Sequence, residues 1–286
     1  MYPAQFEYHK AGSVKEALDL LAKHKDDAKV LAGGHSLLPA MKLRLAQPKH
    51  VIDIGKISSL SGVKEEGGTL VIGALTTHYA IESSAVLKSK CPLMPEVAGH
   101  IGDPMVRNMG TLGGSLAHAD PAADWPAAVI ALGAEMVAEG PKGKRTIKID
   151  DFFKGLLTTA LADDEILTEI RVPAAAASVK SAYAKFPHPA SRFAVVGVAA
   201  VLTMDGGKIG KASIGLTGAG TKAIRAKGVE AAIAGKAADA ASIQAAAEKA
   251  ADGVDVQADL QGSVEYKQHL LRVFAKRAME AAAAKK

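Results

Sequence analysis

The 286-residue sequence has a single cysteine, Cys91. One thiol excludes a disulfide within the chain, and it excludes an iron–sulfur cluster held by this chain alone, because such clusters need several thiolates. Cys91 precedes Pro92, and no neighbouring residue in the sequence would obviously lower its pKa, so we predict an inert thiol. A chain so poor in cysteine fits a reducing compartment.

Long apolar runs and targeting signals are also missing. The first 20 residues carry five charged side chains between Glu7 and Asp19 and contain no apolar core of signal-peptide length. The longest apolar stretches, such as residues 194–202, are too short to span a bilayer. We therefore expect a cytoplasmic protein without a transmembrane segment.

Aromatic residues and charge blocks are scarce. Apolar residues make up 49% of the chain but aromatic ones only 4%, so the core must consist mainly of Ala, Val, Ile and Leu. The formal net charge is +5, yet 30 acidic residues are interspersed with the 35 basic ones. No basic stripe alternates with aromatic residues, which argues against a nucleic-acid partner.

Several common catalytic and nucleotide-binding motifs are absent. The run 215–220 lacks the Gly-x-Gly-x-x-Gly spacing, and the chain has neither a Gly-x-x-x-x-Gly-Lys-Ser/Thr loop nor a Gly-x-Ser-x-Gly elbow. Nine histidines are scattered without metal-ligand spacing. We predict no metal site and no catalytic acid, base or nucleophile in this chain.

The hydrophobic pattern predicts an α+β fold. Residues 1–54 have βαβ character, with a capping box at Ser13 and a second helix capped by Ser36 that runs to Leu45. Further helices and strands follow up to Pro173. After a linker, three antiparallel strands are predicted at 182–186, 194–204 and 210–216, followed by Ala-rich helices. The predicted domains are 1–175, with subdomains of about 1–55 and 56–175, and 176–286.

One segment of the first subdomain is suited to an anion. The strand 29–32 runs directly into Gly33 and Gly34, and His35 and Ser36 follow. Glycine permits positive φ and a close approach of the backbone, so successive N–H groups can point at one anion. The amino terminus of the next helix adds partial positive charge. An isolated Gly-Gly pair, however, is more often a plain tight turn.

A second segment with the same chemistry makes a plain turn a poorer explanation. The run from Gly110 to Ser115 again flanks a glycine pair with hydroxyl residues. A pyrophosphate needs donors from more than one side, and two converging loops would supply them. We expect a side chain at Gly33 or Gly113 to occupy the phosphate space. Asp120 and Asp124 follow as candidates for ribose hydroxyls or a flavin edge, or for turn and N-cap roles.

The runs from Leu31 to Leu45 and from Met109 to Ser115 resemble the two flavin motifs of the medium subunit of molybdenum hydroxylases, the xanthine dehydrogenase family. The aerobic carbon-monoxide-dehydrogenase type is the most similar. Leu112 stands where Ile is common, and Ser115 where Asn is common. The resemblance covers essentially the whole chain. It implies a vanillyl-alcohol-oxidase/PCMH-type FAD-binding fold with a C-terminal three-stranded antiparallel sheet plus helices.

The resemblance also implies which residues contact FAD. Ile101 and Leu167 would line the cofactor, Asp124 would bind it, and Lys185 would approach the flavin. At Phe193 some relatives carry a Tyr near the ring system, so any hydrogen bond made by that hydroxyl would be missing here. The residues around the pyrophosphate would be Val30, Leu31, Ala32, Gly33, Gly34, His35, Ser36, Leu37, Thr111, Leu112, Gly113, Gly114 and Ser115.

A division of labour among subunits follows from the same resemblance. Substrate would be oxidised at a molybdenum centre in a large partner subunit. Electrons would pass through [2Fe–2S] clusters of a small partner subunit to FAD in this chain and on to an external acceptor, in a dimer of heterotrimers. The substrate pocket would lie on another chain, so carbon monoxide, a purine, an aldehyde and other heterocycles stay open. The alternatives are a stand-alone flavin oxidoreductase of this fold and a non-catalytic nucleotide-binding module.

Overall fold

The first 53 residues of the computed structural model, which describes residues 1–285, form a three-stranded parallel sheet in the order β1-β3-β2. Ser13 begins α1, because its side chain accepts a hydrogen bond from the N–H of Glu16 at 3.1 Å. Ala17 and Leu21 of α1 are buried in the small core above the sheet. The elements are β1 (Glu7–Lys10), α1 (Val14–His24), β2 (Ala28–Leu31), α2 (Leu37–Lys42) and β3 (His50–Asp53).

The helix after the first glycine pair is shorter than the sequence pattern predicts. It ends at Lys42, and Arg44 then adopts a left-handed φ of 59°, so the chain has left the helix before Leu45. Ser36 does not cap this helix with its side chain, because its own backbone is already helical and its hydroxyl lies outside capping geometry. The prediction of a Ser36-capped helix through Leu45 is therefore wrong.

A five-stranded antiparallel sheet, in the order β4-β5-β10-β6-β7, forms the next layer. Six short helices between β5 and β6 cover it. In chain order the strands of this sheet are β4 (Val63–Glu66), β5 (Thr69–Gly73), β6 (Glu135–Gly140), β7 (Gly143–Lys148) and β10 (Ile166–Pro173). Between β7 and β10, the strands β8 (Phe153–Gly155) and β9 (Thr158–Thr159) form a separate two-stranded sheet. The helices are α3 (His78–Ser83), α4 (Ala85–Lys90), α5 (Leu93–His100), α6 (Pro104–Met109), α7 (Leu112–His118) and α8 (Trp125–Leu132).

The C-terminal part is a sheet covered by helices. Its three long strands confirm the predicted three-stranded sheet, and two two-residue strands are added at its edge. Gly206 and Gly207 make the tight turn between the second and third long strands, both with positive φ. The elements are β11 (Val179–Pro187), β12 (Ala194–Asp205), β13 (Lys208–Thr217), β14 (Ile224–Arg225), α9 (Lys227–Ile233), β15 (Lys236–Ala237), α10 (Ala240–Ala247) and α11 (Val264–Ala284).

Helix α8 joins the two sheets at the centre of the molecule. Every residue from Trp125 to Ala131 is buried, and the helix contacts both β10 of the second sheet and β12 and β13 of the C-terminal sheet. A helix that is apolar all round belongs in such a position. It places Asp124, the residue just before it, at the junction between the sheets. No helix within residues 1–285 is long and apolar enough to cross a membrane.

Candidate functional site

The two glycine pairs lie on one cavity of about 550 Å³, a volume typical of a ligand pocket. Its wall consists of the first glycine loop, the second glycine loop, the loop before α8 and the tip that joins β11 to β12. Fifteen of the predicted site residues line it. They are Val30, Ala32, Gly33, Gly34, His35, Ser36, Leu37, Ile101, Thr111, Gly113, Gly114, Ser115, Asp124, Leu167 and Phe193.

Three predicted site residues do not reach the cavity wall. Leu112 is completely buried in the core of the second sheet. Leu31 is the last residue of β2 and packs its side chain toward Gly34. Lys185 is only 1% exposed and turns its ammonium group toward Asp124 and the backbone. These three residues lie behind the cavity wall and pack against the residues that line it.

The first glycine loop offers a row of free donors. Within the described part of the chain, none of the five backbone N–H groups from Gly33 to Leu37 donates a hydrogen bond. Gly34 adopts a φ of +77°, which reverses the chain direction at the end of β2. Buried or semi-buried N–H groups need a partner, and a run of them in a loop makes an anion-binding concavity. This loop is therefore the main donor side of the cavity.

The second glycine loop contributes differently from what the sequence pattern suggests. Most of its N–H groups are already used, because Leu112 donates to the Thr76 carbonyl at 3.0 Å and Gly113 to the Ala74 carbonyl at 2.8 Å. Gly114 donates to the Thr111 hydroxyl oxygen at 3.1 Å, the N-cap bond of α7. Convergence of two sets of backbone donors is therefore not found. The loop presents hydroxyl groups, including that of Ser115, to the cavity.

Close backbone packing requires glycine at Gly33 and Gly113. A Cβ at Gly33 would collide with the carbonyl oxygen of Met109 and come within 2.8 Å of the Gly110 Cα. A Cβ at Gly113 would collide with Ala74. We expected a side chain at either position to enter the phosphate space. That reason is wrong, because a Cβ at either position would point into neighbouring protein atoms. Glycine here lets the walls of the cavity close on each other.

A buried ion pair ties Asp124 to the C-terminal sheet. The Lys185 ammonium donates to Asp124 Oδ2 at 2.9 Å and to the His100 carbonyl at 3.0 Å, and the Tyr183 hydroxyl donates to Asp124 Oδ1 at 2.6 Å. Burial raises the pKa of Asp124, while Lys185 and Tyr183 oppose the rise. Burial and the adjacent carboxylate together hold the pKa of Tyr183 well above its ordinary value. The oxygens of Asp124 are thus fixed at the cavity wall.

His78 is a wall residue that the sequence did not reveal. The indole N–H of Trp125 donates to its Nδ1 at 3.0 Å, so the other ring nitrogen, Nε2, carries the proton. Nε2 lies beside Gly110 in the second loop. Burial lowers the pKa of His78 to about 4. At neutral pH the site thus has an uncharged imidazole that can donate one hydrogen bond.

The depressed pKa of His78 predicts a specific acid sensitivity. An unfolded histidine takes up its proton near pH 6.5 but the folded one only near pH 4, so folding stability falls across that interval. The loss is roughly 3 kcal/mol by linkage. His78→Gln keeps an acceptor for Trp125 without the titration. We expect urea unfolding at pH 7 and pH 4 to show a smaller loss in the variant, and equal losses would contradict the assignment.

Two cationic residues that line the cavity were not predicted from the sequence. Lys29 and Arg192 line the wall, and neither belongs to a motif that marks it as a ligand-binding residue. Apolar side chains complete the wall, among them Leu161 and the half-exposed ring of Phe193. Free N–H groups, cationic side chains and an apolar surface together suit a ligand that has both an anionic part and an aromatic part.

Cys91 lies outside this cavity. It is 1% exposed, and burial raises the pKa of its thiol to about 12. The neutral thiol is neither a nucleophile nor a ligand at physiological pH. The prediction of an inert cysteine is confirmed.

Two family models match the chain. Residues 4–175 match the model described as the FAD binding domain in molybdopterin dehydrogenase, and residues 181–282 match the CO dehydrogenase flavoprotein C-terminal domain. The carbon monoxide dehydrogenase medium chain of Hydrogenophaga pseudoflava is 44% identical over 282 residues, which cover 99% of this chain and 98% of the relative. The corresponding medium chain of Afipia carboxidovorans is 39% identical over 285 residues, which cover 100% of this chain and 99% of the relative.

A solved structure is similar over the same extent. The carbon monoxide dehydrogenase of Hydrogenophaga pseudoflava, in a form lacking the Mo-pyranopterin moiety of its molybdenum cofactor, contains a chain with a TM-score of 0.97 and 46% identity. The alignment covers 99% of both chains. The fold implied by the two motifs is confirmed.

Proposed function

Because the chain belongs to the family of FAD-binding medium subunits of molybdenum hydroxylases, we propose that its cavity holds FAD and relays electrons between partner-subunit clusters and an external acceptor. The protein is an oxidoreductase subunit, and its cofactor is FAD. The observation that carries the residue assignment is the row of five free N–H groups from Gly33 to Leu37, on residues that line the cavity.

The first glycine loop would hold the pyrophosphate. Its N–H groups supply several hydrogen bonds to charged oxygens, and charge-assisted bonds are stronger than neutral ones. Lys29 and Arg192 add positive charge, and Thr111 and Ser115, which carry hydroxyl groups, line the same cavity. The second loop also supports the first, because Gly33 rests against Met109 and Gly110.

The apolar part of the cavity would receive the ring system. Ile101, Leu167 and Phe193 line the cavity with apolar side chains, and Asp124 adds a carboxylate to its wall. FAD supplies the redox chemistry, accepting and passing on electrons, while the protein binds and orients it. His78 and Asp124 enter the site with defined protonation and geometry, since Trp125 and Lys185 hold them.

The partner subunits would supply the remaining cofactors. Relatives of this chain are medium chains of multi-subunit enzymes, and the single cysteine requires that iron–sulfur clusters lie elsewhere. The proposed assembly is a cytoplasmic dimer of heterotrimers with a large molybdenum subunit and a small iron–sulfur subunit. The proposed domain division lies at residue 175, where the first family model ends.

The test is the cofactor content of the native complex. Co-purification of this chain with its partners should give one FAD for each medium subunit, together with molybdenum and iron. In the absence of oxygen, the substrate among carbon monoxide, purines, aldehydes and other heterocycles should bleach the flavin absorbance. A complex without flavin would overturn the proposal. Flavin reduction by this chain without partners would favour the stand-alone oxidoreductase, and saturable nucleotide binding without a flavin redox signal would favour the binding module.

A further inference from the structure

Three histidines that are far apart in the sequence meet at one edge of the first sheet. His9 lies on β1, His50 begins β3, and His24 ends α1. One ring nitrogen from each residue lies within 4.8 Å of those of the other two. All three side chains are partly buried. Their separation in the chain explains why ligand spacing did not reveal them.

The histidine cluster lies away from the proposed FAD cavity. The strands of this sheet are parallel, and Glu7 and Ala28 both pair with His50, so the cluster marks the edge where the strands begin. The glycine loop follows Leu31 at the opposite edge, where the strands end. None of the three histidines lines the cavity. The cluster therefore calls for its own explanation.

The distances within the cluster suit a tetrahedral metal ion. His9 Nε2 and His50 Nδ1 are 3.1 Å apart. Two nitrogens bound to tetrahedral zinc lie roughly 3.3–3.4 Å apart, because each Zn–N bond is about 2.0–2.1 Å long. The Glu7 carboxylate adds an oxygen donor beside two of the three histidines, since Glu7 Oε2 lies 3.4 Å from His50 Nδ1 and 3.9 Å from His9 Nε2.

Hydrogen bonding among the rings does not account for the whole cluster. His9 and His50 can satisfy each other, but Nε2 of His24 is buried and has no hydrogen-bond partner within residues 1–285. The His24 ring lies against that of His50, with centroids 3.7 Å apart. A buried nitrogen of this kind needs a partner.

We propose that His9, His24 and His50, with Glu7 as the fourth ligand, bind a divalent transition-metal ion of the Zn²⁺ class. Imidazole donors favour zinc, copper and nickel over magnesium and calcium, which prefer oxygen. Bound there, the ion ties β1, β3 and the end of α1 together. It would brace the small sheet that carries the first glycine loop at its other edge. This site is structural and is separate from electron transfer.

The experiment uses untagged, FAD-loaded protein stripped with a chelator and titrated with Zn²⁺ by calorimetry. Binding of one equivalent is expected, together with the visible spectrum of tetrahedral Co²⁺ when cobalt replaces zinc. His24→Gln removes a ligand and should weaken Zn²⁺ binding by more than ~10-fold. Loss of a residue that only forms a hydrogen bond to a metal ligand already weakens binding by at least about that factor. FAD content should stay unchanged, so this proposal can fail independently of the proposed function.

His269→Gln is the matched control, because His269 is an exposed histidine on α11 outside the cluster. It should bind Zn²⁺ as the unaltered protein does. If His24→Gln does not fold, His9→Gln on the partly exposed strand β1 provides the same comparison. Equal Zn²⁺ affinity in the cluster variants and the control, or an octahedral Co²⁺ spectrum, would overturn the proposal.

Discussion

Replacing Gly33 by valine removes FAD from the protein. The new side chain has no room, because its Cβ alone would collide with the carbonyl oxygen of Met109 and lie 2.8 Å from the Gly110 Cα. The obstacle is backbone, which cannot rotate away as a side chain could. Overpacking typically costs about 1–3 kcal/mol, which corresponds to roughly a 5- to 150-fold loss of affinity if the cradle bears it. We expect the upper end, measured as flavin absorbance per protein after purification of the complex.

Gly155→Val is the control for this substitution. Gly155 has no positive φ, and a Cβ there would meet open space. This variant should keep its full flavin content. Circular dichroism and the thermal transition would show whether the Gly33 variant is folded, and Gly33→Ala offers a milder test of the same contact. Stoichiometric FAD in folded Gly33→Val protein would contradict the assignment of this loop as the cradle.

Local sequence signals predicted several features that the structure shows. A strand that runs into Gly33-Gly34 can turn sharply, because glycine permits positive φ, and the structure places this loop, with its N–H groups free, on the cavity. Ser13 was predicted to begin the first helix, and its side chain does cap α1. Chemistry carried by neighbouring residues can be read from the sequence, because backbone conformation and capping depend on neighbours.

Contacts between residues that are far apart in the sequence were not predicted. The pairing of Trp125 with His78 spans 47 positions, and nothing near either residue indicates it. The N–H groups of Leu112 and Gly113 were expected to face a ligand, but they donate to carbonyl groups of the segment that follows β5. The three clustered histidines, on β1, at the end of α1 and at the start of β3, meet only because the fold packs these elements together. Such contacts follow from topology, which a single sequence specifies only indirectly.

Lys185→Met should destabilise the protein strongly. The substitution removes the cation that compensates Asp124 and leaves a buried carboxylate with Tyr183 as its main donor. Breaking one side of a buried ion pair costs about 3–5 kcal/mol. The double variant Asp124→Asn with Lys185→Met should recover part of the loss, because no uncompensated charge remains. Lys15→Met, which breaks the exposed pair with Asp19, should have little effect.

The pH dependence of the Lys185→Met variant separates a charge effect from simple loss of packing. Burial already raises the pKa of Asp124, and removal of Lys185 takes away the largest opposing influence. A carboxyl whose pKa is higher when folded gains stability from protonation as the pH falls, and loses it as the pH rises. The deficit of the variant, measured as the urea unfolding free energy against the unaltered protein, should therefore shrink from pH 7 to pH 5. A constant deficit would mean that lost packing of the lysine side chain, rather than the uncompensated Asp124, destabilises the junction between the two sheets.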